Sequence, residues 1–194
     1  MTDRPFKGDA FWDRLDAREV EDDLRAAFRE RAARTSGAVS RMGAQASLVA
    51  VVEQIFPRAA VPATVIAEFI DTNFDKQMGR GDERHGTLPR VELLPAGLVA
   101  LDSEAGAPFH SIGPERQRSL LATAEAGKLK GREGFDSALW FARLRELAIL
   151  GYASDPRGMQ EMGFPGPSYR PGYLWLGYAG PDARAKQRPG YRSF

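Results

Sequence analysis

Two imidazoles and no thiol set the limits of what this chain can do chemically. His85 sits in the polar, glycine-rich stretch GRGDERHGT, Gly79 to Thr87, and His110 stands between Phe109 and Ser111. Neither belongs to an HExxH pair or any similar metal-binding spacing. His85 reads most simply as a solvent-exposed loop residue, the alternative being a catalytic base working with Asp71 or Asp75. His110 reads as a packing histidine. Asp71 and Asp75 fall one turn apart on a helix, a spacing that presents two carboxylates to a cation, but no third ligand follows at helical spacing. They therefore read as surface carboxylates. Gly79, Gly81 and Gly86 miss the spacing of a dinucleotide fingerprint, and Gly127-Lys128 lacks the strand and hydroxyl residue of a phosphate loop. No serine occupies a GxSxG turn. With no cysteine, thiolate metal sites, disulfides and a cysteine nucleophile are all excluded. This reading assigns the chain no catalytic, cofactor-binding or metal-ligating residue.

Composition narrows the classes further. The chain has 194 residues, an ordinary apolar fraction of 43%, and 27 basic against 26 acidic residues, a net charge of +1. Such a balance creates no field that would gather nucleic acid or an anionic membrane surface. No segment reaches the ~18 uncharged apolar residues of a membrane span. The opening MTDRPFKGDAFWDRL has neither an apolar run nor paired arginines, so no secretory or twin-arginine signal is expected there. The expected location is cytoplasmic, or periplasmic if the chain is exported with a partner.

The elements that would hold these residues are helical. Asp9 can cap a helix running to about Arg34, with Phe11, Leu15, Leu24, Phe28 and Ala32 on its apolar side. A second helix is expected from about Ser40 to Phe56, facing inward through Leu48, Val49, Val52, Ile55 and Phe56, and Pro57 stops it. A third covers about Ala63 to Gln77. A fourth covers about Pro89 to Ala105, where Pro95 implies a late start or a kink. Gly113-Pro114 opens a fifth that Gly127 ends. The sixth, from Phe135, is apolar on more than one side, so it needs several neighbours, and Gly151 is placed to end it in the left-handed conformation. No alternating strand pattern and no internal repeat is found. The expected fold is all-α, with about six helices in one orthogonal, bundle-like domain: an N-terminal amphipathic extension over 1–39, a helical core over 40–154, and an irregular tail over 155–194.

That tail interleaves glycine and proline with aromatics and has too few aliphatic residues for a core of its own. Tyr152, Phe164, Tyr169, Tyr173, Trp175 and Tyr178 are the expected partner contacts, because tyrosine and tryptophan are enriched at interface hot spots. The rings can equally pack back over the helices. Both hold if one face of the tail covers its own domain and the other a partner.

Three pieces carry a family resemblance: IFPRAAVPATVIAEFID at Ile55 to Asp71, AGAPFHSIGPERQRSLL at Ala105 to Leu121, and FDSALWFARLRELAILGYASDP leading to GFPGPSYRPGY at Gly163 to Tyr173. In this order and with these gaps, the stretch from about Val49 to Tyr173 resembles the gluconate 2-dehydrogenase subunit 3 family, small subunits of flavin dehydrogenases. The resemblance implies a helical companion of a large flavoprotein of the glucose-methanol-choline oxidoreductase class. That partner would hold FAD and the catalytic residues and oxidise a sugar or related alcohol, with a further electron-transfer subunit possible in the assembly. The companion would assist folding, stability or export and hold no cofactor itself. An independent helical adaptor or chaperone, and a stand-alone enzyme built on His85, are the competing readings.

Overall fold

The computed structural model describes residues 11–12, 22–39, 41–76 and 86–164. It is all-α, with no strand among the described residues. Seven helices follow in order: α1 (Asp22–Ala33), α2 (Gln45–Ile55), α3 (Ala63–Asn73), α4 (Arg90–Ala105), α5 (Pro114–Glu125), α6 (Ser137–Ser154) and α7 (Pro156–Glu161), with a 3-10 turn at Phe109–Ser111 between α4 and α5. Phe11 and Trp12 are helical as well.

The 18-residue α6 is the axis of the domain, packed against α2, α3, α4, α5 and α7. Its breadth of apolar residues explains this, since Trp140, Phe141, Leu144, Leu147 and Ala148 are all buried and cannot face one neighbour. Asp136 caps its start by accepting the N–H of Leu139 at 2.9 Å. Trp140, fully buried, lies against α4 at Gly97, where a Cβ would overlap the indole ring. The indole N–H donates to the carbonyl of Leu94 at 3.1 Å. A glycine in mid-helix costs up to about 1 kcal/mol of helix propensity, and here it is what allows the ring to reach the helix backbone.

A half-buried polar relay joins the other side of the core. Asp102 on α4 accepts the Ser47 hydroxyl at 3.1 Å and the Phe109 N–H at 2.7 Å. The Gln117 amide donates to the Phe109 carbonyl at 2.9 Å and accepts from Gln54 at 2.8 Å. Thus α2, α4, α5 and the 3-10 turn share one network, which satisfies the backbone of a turn folded over the core.

Several boundaries differ from the sequence reading for identifiable reasons. α2 begins at Gln45 rather than near Ser40, because the N–H groups of Arg41 and Met42 bond to the Asp71 carboxylate and Gly43 turns at φ 71°. α3 ends at Asn73 rather than Gln77, with the Asn73 amide turned back onto the Phe69 carbonyl. α4 starts upstream of Pro95 and runs through it. Gly151 does not end α6: it is buried inside the helix, absent from the positive-φ glycines, and gives close approach to Phe69 of α3. Leu24, expected on the apolar side of the first helix, is 39% exposed, and Val99 on α4 is 64% exposed.

Gly97→Ala should destabilise the domain by about 1–3 kcal/mol, because the added methyl must displace a fully buried indole. Urea denaturation followed by tryptophan fluorescence checks this, with Glu104→Ala at an exposed position of the same helix as the near-neutral control.

Candidate partner interface

The described part of the tail is not irregular throughout. Asp155-Pro156 starts a new helix rather than only a turn: Pro156 stands at the first helical position, and the Asp155 carboxylate accepts the Arg157 N–H at 2.9 Å. The pairing of capping aspartate with following proline was a readable start signal. The tail expected to be irregular thus opens with a helix, α7.

α7 is tied down on three sides. Tyr152 near the end of α6 is buried, stacks on Phe56 at 4.9 Å between ring centroids, and donates its hydroxyl to Glu161. Glu161 also accepts the Ala60 N–H at 3.1 Å, so one carboxylate joins α6, α7 and the loop after α2. Gly158 allows the close approach, since a Cβ there would strike the Tyr152 carbonyl. The Arg157 guanidinium pairs with buried Asp155 and donates to the Arg34 carbonyl at 2.8 Å, beyond the end of α1. The N-terminal extension joins the same end of the molecule: the Trp12 indole donates to Gln160 at 2.9 Å, and Trp12, Phe28 and Met159 pack around Phe11.

Beyond this anchor the chain surfaces. Met162 is 54% and Phe164 43% exposed, two residues apart. Of the six expected contact residues, the structure places Tyr152 inside the anchor and Phe164 on the surface, while Tyr169, Tyr173, Trp175 and Tyr178 lie outside the described residues. So does His85. The end of α6 and helix α7 are thus fastened together, and the described chain leads from them to Phe164.

The carboxylates and His110 resolve differently from their sequence reading. Asp71 is buried, not a surface group, and accepts the N–H groups of Arg41 and Met42 at 3.0 and 2.7 Å. Asp75 pairs with the Arg41 guanidinium, which holds its carboxyl below the usual range through that hydrogen bond. The two carboxylates fasten the 41–43 turn to α3 and are spent on that structure. Among the described residues no cluster of three or more metal-ligating side chains is present. His110 is exposed rather than packed; Phe109 takes the core position beside it. No described helix is long and apolar enough to cross a membrane.

The class these features define is an all-α domain in which Asp71, Asp102, Asp155 and Glu161 bind the chain's own backbone N–H groups. The family model for gluconate 2-dehydrogenase subunit 3 matches residues 44–172, well over half of the chain. The chain belongs to the gluconate 2-dehydrogenase subunit 3 family. Neither the curated proteins nor the solved structures yielded a match. The matched range opens at the turn that leads into α2 and runs past α7, so α2 to α7 fall within it and α1 lies outside.

Burial, then the Glu161 contact, pushes the Tyr152 phenol up to about 12. The Tyr152 hydroxyl and the Ala60 N–H lower the Glu161 carboxyl below its ordinary 4.5. The signs follow: the raised phenol stabilises the fold fully below pH 10, and this is lost as pH rises through about 12. The depressed carboxyl contributes above its ordinary value, and that is lost as pH falls through its folded value. The chain has five tyrosines. Absorbance titration of tyrosinate should show one ionising last, near pH 12, and Tyr152→Phe should delete that step; deletion of a step near pH 10 instead would contradict the contact.

Proposed function

We propose that this chain is the non-catalytic small subunit that binds and stabilises a large FAD-dependent dehydrogenase of the glucose-methanol-choline class, which oxidises a sugar or related alcohol. Membership of a family named as a dehydrogenase subunit carries the reading, since it sets this chain beside a catalytic partner rather than alone. The structure supports it in how the chain spends its chemistry. Asp71, Asp75, Asp102, Asp155 and Glu161 each hold a named backbone or side-chain partner inside the fold. Where the described chain ends, Met162 and Phe164 are apolar and exposed, the kind of side chain that fills pockets on another protein.

In this reading the large subunit supplies FAD and the reacting groups. This chain supplies the surface that covers and steadies it, centred on Phe164, Tyr169, Tyr173, Trp175 and Tyr178. Tyr152 acts one step back, fixing the base of that segment through Glu161. A stabilising partner acts by binding the folded form alone, so its effect grows with its affinity and concentration.

Affinity purification of the tagged chain from its native cells should bring down a yellow complex containing a large flavoprotein. The isolated chain should be colourless and reduce no dye. A chain ending at Phe164 should keep its helical circular dichroism, because α7 and its anchor remain, yet lose the flavoprotein. Dye reduction by the isolated chain, or full capture of the flavoprotein by the shortened one, would overturn the assignment.

A further inference from the structure

A second apolar surface lies away from α7. Val91, Pro95 and Val99 recur every fourth residue along one face of α4, so they form a single stripe. Val91 and Val99 are 50% and 64% exposed. With Ala96 and the 130–132 loop, this stripe lines a groove of about 800 Å³. Pro95 has no N–H to close on the Val91 carbonyl, so the helix presents a backbone acceptor at the groove. On the rim Glu92 and Arg132 pair with each other, which favours an occupant without charge.

We propose that this groove is the seat of the chain's own segment around Leu174 and Leu176. Three observations select that occupant. Of the stretches outside the described residues, 1–10 and 77–85 are charged, whereas residues 171–178, PGYLWLGY, carry no charge and hold two leucines. Reach agrees as well. The groove's loop precedes the start of α6, and Phe164 follows its end, so the separation to be crossed is about the helix length, ~27 Å for 18 residues. Residues 165–173 include Pro165, Pro167 and Pro171, and nine residues in a proline-rich extended form span about 28 Å. The segment around Leu174 is therefore within reach of the groove. Finally, side chains alternate along an extended chain, so Leu174 and Leu176 enter the groove while Tyr173 and Trp175 face outward. A backbone N–H of the same segment supplies the donor for the Val91 carbonyl.

The seating goes beyond partner binding and is read on the isolated chain, so its failure leaves the subunit reading standing. The chain has no cysteine, which makes Lys130→Cys a unique attachment point on the groove rim for bimane, a dye quenched by nearby tryptophan. Replacing Trp175 by Phe in the labelled chain should relieve quenching, and Val99→Asp should relieve it to the same extent by expelling the leucines. Trp12 and Trp140 are present in every variant and contribute a constant background. Circular dichroism confirms that the variants fold. Emission unchanged by Trp175→Phe would overturn the proposal, as would relief by Trp175→Phe with none by Val99→Asp. Quenching that disappears on dilution would place the segment of a second copy in the groove and overturn it equally.

Discussion

The domain depends on one close approach, that of Trp140 to the backbone of α4 at Gly97. A fully buried indole must place its N–H on an acceptor, and the acceptor here is a helix carbonyl, that of Leu94. Only a residue without a side chain lets the ring lie that near. Once α4 and α6 are set in this way, α6 still has apolar surface on its other sides, and α2, α3 and α5 cover it. The fold is organised by a helix too apolar for one neighbour and by the glycine that admits its largest side chain.

The same economy appears where polar groups are buried. Asp71 takes the free N–H groups ahead of α2, Asp102 takes that of the 3-10 turn, and Asp155 takes that of α7. Each carboxylate replaces water at a place where the chain changes direction. The consequence for function is direct: acidic residues that resemble catalytic or ligand candidates in the sequence act as internal caps. Among the described residues, the exposed apolar side chains include Val91 and Val99 on α4 and Met162 and Phe164 after α7.

Much of the helical pattern was legible in the sequence because it rests on periodicity. Leu120, Leu121 and Ala124, or Val65, Ile66 and Ile70, are buried as their spacing indicated. What escaped was information carried by partners far along the chain. Gly151 looks like a terminator until Phe69 is seen against it, and Asp71 looks like a surface acid until the turn at Arg41 closes on it. His110 was misplaced for a related reason, since Phe109 and His110 are adjacent and a turn can bury only one of them. α7 was missed because glycine and proline around it masked a short helix, although Asp155 followed by Pro156 marked its start. At the candidate interface, the aromatic composition pointed to Phe164 and the residues beyond it. The anchoring role of Tyr152 became visible only with Phe56 and Glu161 around it.

In the proposed complex, the helical frame presents its C-terminal segment to a flavoprotein. Hydrogen–deuterium exchange, compared between the chain alone and the purified complex, tests it most directly. The account predicts slower exchange in the complex over α7 and the residues beyond Phe164, with α2 and α5 exchanging as in the free chain. Slower exchange along α2 and the 3-10 turn around His110, with none beyond Phe164, would contradict it.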